Sequence, residues 1–254
     1  MKKVILVSGL MLFSLFFGAG NLIFPPMLGY TAQSNMWTGM TGFAITGILM
    51  PFITVIVIAY YDGGVEFIGN RVHPKFGFIF AVCIYLSIGA LYGIPRAANV
   101  AYEIGAKSII PIHNTWTLVG FSLVFFIVVG LIALYPTKMV DNLGKILTPA
   151  LLIIIGALCI GAIVNPEGPV GQPHGKYEKA PFVSGILEGY YTMDLVAALA
   201  FSVVIVQSFK LAGLTDSKKI VKNVILSGLI SAVLLTVIYL SLIHISEPTR
   251  QAEI

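Results

Sequence analysis

Long runs of apolar residues, separated by short polar connections, dominate the pattern along this chain. Each run is close to the ~20 residues that a helix needs to cross the hydrocarbon core of a bilayer. The pattern therefore predicts an all-α, polytopic membrane protein with about seven transmembrane helices. The predicted spans cover residues 4–29, 37–61, 76–106, 115–135, 142–165, 182–209 and 222–239.

Two of these runs contain residues that interrupt a membrane helix. The first run holds Gly18–Asn21 and then Pro25–Pro26, and the sixth holds Gly189–Asp194. Lipid offers no hydrogen-bond partner, so a broken helix is tolerated only where its backbone faces protein or a wet cavity. The two breaks predict that helices 1 and 6 are unwound in mid-membrane around a binding site, as in transporters built from repeats.

Composition agrees with a membrane protein and excludes several soluble classes. The chain is 57% hydrophobic and 10% charged, with a mean hydropathy of +0.95. Soluble domains carry about 25% charged residues. The sequence also lacks the basic, aromatic-laced surface of a nucleic-acid-binding protein, so a lipid bilayer is the expected partner and nucleic acid is not.

The placement of positive charge predicts the orientation. With the N-terminus inside, four Lys and Arg residues fall outside, namely Arg96, Lys107, Lys176 and Lys179. Ten fall on the inner side, namely Lys2, Lys3, Arg71, Lys75, Lys138, Lys145, Lys210, Lys218, Lys219 and Lys222. Because short cytoplasmic loops carry the excess of Lys and Arg, we expect a cytoplasmic N-terminus.

Cysteine and histidine give no sign of a metal site or a cofactor. Cys83 and Cys159 lie in apolar runs without a Cys-x-x-Cys pair, which is typical of small buried residues. His73, His113 and His174 fall in connecting segments without ligand spacing. We therefore expect no transition-metal site and no cofactor.

The end of the chain departs from the pattern before it. Leu240–Arg250 adds neither a further span nor loop chemistry, and it looks like the translation of a sequencing adapter. We expect residues 240–254 to be read-through and assign no role to His244, Glu247 or Arg250. The segment 166–181, rich in Pro and Gly, is expected to be a flexible external loop.

Three motifs carry a resemblance to a known family. Phe17–Pro26 in the first span, Tyr92–Ala98 with its Ile-Pro-Arg in the third, and Glu188–Asp194 followed by Ala197–Leu199 in the sixth occur in the order and spacing of that family. The chain resembles the bacterial branched-chain amino acid:cation symporter family of the BrnQ type. The resemblance implies that this chain is an N-terminal fragment of a longer protein.

The resemblance also implies a fold and an activity. The fold is the leucine-transporter-like inverted repeat of the APC superfamily, with residues 1–165 as the first five-helix repeat and residues 182–239 as the start of the second. The activity is uptake of leucine, isoleucine and valine, with Na⁺ as the coupling ion. In that fold the first and sixth helices are equivalent, and these are the two runs that the sequence interrupts.

The backbone of the two breaks is the predicted substrate site. Gly18, Ala19 and Gly20 would free N–H groups that suit a carboxylate, and freed carbonyls of Gly189, Tyr190 and Tyr191 would meet the ammonium. Close helix packing at Gly18 and Gly20 is the alternative. The Tyr190–Tyr191 pair could close over the substrate, or simply favour the membrane interface.

Four side chains near the breaks have two interpretations each. Asn21 and Thr192 could bind the cation through oxygen; an interhelical hydrogen bond and a back-bond to the helix are the alternatives. Asp194 could cap the helix that follows it, or sense an ion or a proton. Arg96 could gate the outer vestibule by pairing with Glu103 or Glu188, or snorkel to headgroups.

We therefore expect a sodium-coupled symporter that works by alternating access. Proton coupling through Asp194, or another amino acid substrate on the same fold, stays open. A channel would need a continuous polar stripe, and an enzyme would need a nucleophile–base pair or metal ligands. The spans show only isolated polar residues, so we expect no catalytic residues and no enzyme.

Overall fold

The computed structural model describes residues 2–61, 63–110, 114–134, 148–164 and 171–246, and regular structure within these ranges is helical. Five helical stretches in the described residues are long and apolar enough to cross a membrane. They are Ala19–Tyr61, Pro74–Gly105, Thr115–Ala133, Asp194–Leu211 and Ser217–His244. The chain is therefore a polytopic α-helical membrane protein, as its apolar pattern predicts.

The first 164 residues contain nine α-helices in the described ranges. They are α1 (Lys2–Phe16), α2 (Ala19–Ala32), α3 (Met36–Ala44), α4 (Met50–Tyr61), α5 (Gly64–Asn70), α6 (Pro74–Leu86), α7 (Gly93–Val100), α8 (Thr115–Ala133) and α9 (Thr148–Val164). Wide π-helical turns at Ile45–Leu49 and Ser87–Leu91 join α3 to α4 and α6 towards α7.

The C-terminal part adds α10 (Lys176–Lys179), α11 (Pro181–Tyr191), α12 (Asp194–Leu211) and α13 (Ser217–Ser246). The seventh predicted span, 222–239, is wrong in its length, because α13 continues to Ser246 and buries Leu242 and Ile243. His244 contacts the Trp37 ring at 5.7 Å. The origin of residues 240–254 stays a prediction, and Glu247 and Arg250 lie outside the described residues, as do the start of the fifth span (142–147) and residues 165–170.

The core is formed by helices that are distant in the sequence. α1 packs along α13, α3 packs along α11, and α12 packs along α4. Their facing side chains are apolar and fully buried, including Phe13, Phe43, Ile205 and Leu235. These contacts bring the break between α1 and α2 next to the break between α11 and α12.

The described residues of the 166–181 loop are packed, and the loop is not flexible there as expected. His174 donates its backbone N–H to Thr31 O at 2.8 Å, and Gly171 donates to Gln33 Oε1 at 2.8 Å. Asn35 Nδ2 donates to Tyr177 O at 3.0 Å, and the Tyr177 ring is completely buried. The aromatic side chain ties the loop to α3 and α11, which composition alone does not reveal.

Candidate functional site

The first break separates α1 from α2. α1 ends at Phe16, and Gly18 has extended backbone angles, with φ −108° and ψ −168°. The N–H groups in the first turn of a helix have no partner within that helix, and the terminus carries a partial positive charge. The start of α2 at Ala19 and Gly20 therefore offers a polar backbone inside an otherwise apolar segment.

The second break separates α11 from α12, and its carbonyls already accept hydrogen bonds. Met193 lies in the left-handed region at φ 67°. Thr192 Oγ1 donates to Gly189 O at 2.7 Å, and Met193 N–H donates to Tyr190 O at 3.1 Å. Arg96 Nη1 donates to Tyr191 O at 2.8 Å. Each freed carbonyl thus has a protein donor.

The two breaks approach each other at Gly20. A Cβ atom on Gly20 would lie 3.1 Å from Thr192 Cα and 2.7 Å from Arg96 Nη2. Both distances are shorter than ordinary van der Waals contact, so a side chain here would push the two breaks apart. Glycine at this position lets α2, α7 and the second break converge.

A cavity of about 350 Å³ lies between the breaks. Small-molecule sites commonly measure ~300–1,000 Å³. Residues of both breaks, together with Arg96 and Asp194, provide the polar part of its lining. Its apolar lining consists of Leu15, Phe16, Ile88, Ile94, Ala97, Phe125, Val129, Met193, Ala197 and Phe201. A ligand with a small charged end and an aliphatic body matches this division.

A buried polar network lies beside the cavity. Asn21 Nδ2 donates to both carboxylate oxygens of Asp194, at 3.1 and 2.9 Å, and also to the Tyr239 hydroxyl. Tyr239 in turn donates to Asp194 Oδ2 at 3.0 Å. Asn21 is 0% and Asp194 1% exposed, and Asn21 Oδ1 has no hydrogen-bond partner among the described residues. An oxygen left unpaired in a buried site needs a further donor or a cation.

Arg96 enters the cavity because the third predicted span bends before it. Gly89 has non-helical angles, with φ −83° and ψ −114°, and the helix restarts at Gly93. Arg96 therefore lies in the first turn of α7, with its guanidinium carbon 5.1 Å from the Phe24 ring centre and 5.8 Å from that of Tyr92. These rings hold a cation at the polar end of the cavity.

Comparison with known proteins identifies the family. The family model described as "Branched-chain amino acid transport protein" matches residues 1–253. The chain belongs to this family of transporters. Membership confirms the expectation that it is not an enzyme.

Individual proteins that are similar to this chain are named branched-chain amino acid permeases. The chain is 42% identical over 251 residues to the branched-chain amino acid permease BraB of Bacillus subtilis, an alignment that covers 98% of this chain and 56% of the relative. It is 39% identical to BrnQ of Bacillus subtilis and 37% identical to BrnQ of Salmonella typhimurium, covering 95% and 96% of the chain and 56% and 55% of those relatives. The chain thus spans about half the length of the relatives it matches. No solved structure matches.

The structure brings most of the predicted site residues of this family member together. Gly18, Ala19, Gly20, Thr192, Asp194 and Arg96 line the cavity, and Asn21 lies directly beside it through Asp194. Gly189 instead packs against the wide turn after α3, where a Cβ would lie 3.1 Å from Gly47 N. Tyr190 and Tyr191 are about half exposed, and Tyr191 contributes its carbonyl to Arg96. Their roles as ligands stay predictions.

Two interpretations of side chains are wrong. Asp194 does not cap α12, because the capping position is Met193 and makes no side-chain cap bond. The Asp194 carboxylate accepts from Asn21 and Tyr239 instead. Arg96 does not pair with an acid from the predicted set, because Glu103 pairs with Lys107 and Glu188 with Lys176, both at 2.8 Å.

Sequence reasoning missed Tyr239 and the partners of Glu188. Tyr239 lies near the end of a uniformly apolar run, and nothing in its local sequence signals a contact with Asn21, 218 residues away. Glu188, 3% exposed, binds Lys176 and accepts from the Tyr177 hydroxyl at 2.6 Å. Burial, and secondly the Glu188 carboxylate, raises the pKa of Tyr177, so the phenol stays protonated and donates. The described residues hold no group of three or more His, Cys, Asp or Glu that could bind a metal ion.

Proposed function

We propose that this chain forms the substrate site of a sodium-coupled importer of branched-chain amino acids that works by alternating access. The observation that carries the proposal is the cavity between the two helix breaks, with charged residues in its lining and otherwise mostly apolar walls. The names of the relatives agree with this substrate class. An apolar pocket separates side chains that differ by one methylene by only ~1–3 kcal/mol, so leucine, isoleucine and valine would all be accepted.

The proposal includes the leucine-transporter-like inverted repeat. The first and the sixth segments are the interrupted ones, and a repeat of five helices makes these two positions equivalent, which supports this fold. The excess of Lys and Arg on one side supports a cytoplasmic N-terminus in the bacterial cytoplasmic membrane.

Asn21 is the proposed cation ligand, with Thr192 as a second oxygen donor. The buried Asn21 Oδ1 lacks a hydrogen-bond partner among the described residues, and Na⁺ prefers oxygen ligands. Asp194 lies within hydrogen-bond distance of Asn21 and adds a negative charge that would stabilise a cation nearby.

An uptake assay on Asn21→Leu tests the cation role. We expect the full-length protein, reconstituted in vesicles, to import labelled leucine uphill under an inward sodium gradient. Asn21→Leu should lose at least about 90% of this uptake, because the leucine side chain removes both the oxygen and the donor to Asp194. Asn99→Leu makes the same chemical change at an exposed position of α7 and should transport normally.

Sodium-dependent uptake by Asn21→Leu at the wild-type level would contradict the assignment. Wild-type uptake that does not depend on sodium would contradict sodium coupling altogether.

Proton coupling is the second candidate, and one observation favours it. Asp194 is a buried carboxylate on the cavity wall whose described hydrogen-bond donors, Asn21 and Tyr239, are both neutral side chains. Leucine uptake by the wild type should then carry protons into the vesicles, and Asp194→Asn should abolish this proton movement. Leucine uptake by the wild type without accompanying proton movement would contradict proton coupling.

A further inference from the structure

We infer that Arg96 is the ligand of the substrate carboxylate and thereby the residue that makes the site specific for free amino acids. The inference rests on the proposed function and deepens it. It begins from a cation at the polar end of a cavity whose remaining walls are mostly aliphatic and aromatic.

Protein contacts position the guanidinium, but among the described residues they leave several of its N–H donors without a hydrogen-bond acceptor. Arg96 Nη1 donates to Tyr191 O at 2.8 Å, while the Phe24 and Tyr92 rings flank the group at 5.1 and 5.8 Å. A guanidinium carries five N–H donors in a rigid, planar fork. The bond to Tyr191 uses one of them, and Arg96 Nη2 lies next to Gly20 on the cavity wall.

Arg96 Nη2 lies beside the first turn of α2. A carboxylate there would meet the Arg96 cation together with the partial positive charge of the helix terminus at Ala19 and Gly20. A full charge with fork geometry binds a carboxylate through two parallel hydrogen bonds, which a helix terminus alone does not provide. Arg96 therefore dominates recognition at this end.

The opposite charge in the same cavity fixes the orientation of the substrate. Asp194 lines the cavity, and the carbonyls of Gly189, Tyr190 and Tyr191 each already accept a protein hydrogen bond. Because Asp194 is the acidic residue among those that line the cavity, the substrate ammonium faces Asp194 and the substrate carboxylate meets Arg96. A purely anionic ligand would be repelled by Asp194, and an amine without a carboxylate would leave Arg96 unpaired.

Arg96 also connects the substrate to both breaks. Its guanidinium contacts the last carbonyl of α11 and approaches the first turn of α2. A carboxylate bound to it would therefore link three segments that are far apart in the sequence.

Competition between leucine and leucinamide tests the inference. Leucinamide keeps the ammonium and the side chain but replaces the carboxylate with a neutral amide. We would measure how well each compound displaces labelled leucine from the reconstituted full-length protein at a fixed sodium concentration. We expect wild type to bind leucinamide on the order of 100-fold more weakly than leucine, because the amide leaves the Arg96 cation without its carboxylate partner.

Substitution of Arg96 should remove this selectivity. Arg96→Gln should weaken leucine binding on the order of 100-fold and leave leucinamide binding nearly unchanged. Arg96→Lys keeps the charge without the fork and should weaken leucine binding about 10-fold. Arg71→Gln is the matched control, because Arg71 stacks on Tyr61 at 4.4 Å outside the cavity lining.

The outcomes separate this inference from the proposed function. A well-folded wild type that does not bind leucine overturns both. A wild type that binds leucine but does not discriminate against leucinamide overturns the role of Arg96 alone. An unchanged leucine-to-leucinamide ratio in Arg96→Gln overturns it as well, and if that variant does not fold, an unchanged ratio in Arg96→Lys does so.

Discussion

The contact between α3 and α11 is sensitive to a single added methyl group. Gly185 and Gly189 on α11 have the Gly-x-x-x-Gly spacing that lets membrane helices approach closely. A Cβ on Gly185 would lie 2.8 Å from the Gly39 carbonyl carbon, nearer still to its oxygen, and 3.0 Å from Phe43 N. These atoms are backbone, so they cannot swing aside as a flexible side chain would.

The magnitude of the effect follows from these distances. Carbon atoms in contact are normally about 3.5–4.0 Å apart, so Gly185→Ala must separate α3 from α11 by about 1 Å. Overpacking of this kind costs ~1–3 kcal/mol. The shift would also strain the hydrogen bond from Thr46 Oγ1 to Ile186 O, now 2.8 Å, which in a membrane is worth about 0.6 kcal/mol. We expect Gly185→Ala to lower the free energy of unfolding by about 2–4 kcal/mol.

The assay is thermal and denaturant unfolding of the purified protein in detergent, compared with Gly130→Ala. Gly130 lies inside α8, and a Cβ added there would meet no atom of the described residues within 4 Å. Alanine at Gly130 should therefore be neutral or stabilising by up to about 1 kcal/mol. If Gly185→Ala were as stable as Gly130→Ala, the close approach of α3 and α11 would be refuted. The break at Thr192–Met193, which α11 positions, would then have no fixed support.

Two further predictions concern the 166–181 loop and the second break. Tyr177→Phe should lower the free energy of unfolding by about 1–3 kcal/mol, because it leaves the buried Glu188 carboxylate without its phenol donor. The loss should be smaller when Tyr177→Phe is combined with Glu188→Gln. Equal losses with and without Glu188→Gln would contradict the contact. Met193→Gly should be more stable than Met193→Ala by about 1 kcal/mol in the same unfolding assay, because both delete the side chain but only glycine adopts φ 67° without strain. The reverse order would contradict the left-handed conformation.

The positions of the two breaks could be predicted from the sequence because their causes are local. Gly18, Gly20 and the polar run Tyr190–Asp194 interrupt helical geometry through their own backbone preferences and side chains. The apolar runs are equally local, since a bilayer requires length and hydrophobicity and not particular partners. That the breaks lie at mid-membrane depth stays a prediction.

The functions of individual side chains could not be predicted in the same way. Asp194 fits a helix cap by local pattern, yet its carboxylate bonds to Asn21 and Tyr239, 173 and 45 residues away. Nothing in the sequence around Glu188 predicts that Lys176 and Tyr177 reach it from the preceding loop. Such pairs depend on which helices pack side by side.

The sequence by itself determined that this protein is a polytopic helical membrane protein of a transporter family, with breaks in its first and sixth segments. Tertiary structure decided that the breaks face each other across a cavity, that Arg96 lies at its polar end, and that Gly189 packs against a neighbouring helix. The physical reason is range: helix formation and its interruption are set within a few residues. A binding site is set by contacts between α2, α7, α12 and α13, whose registers depend on the packing of the whole bundle.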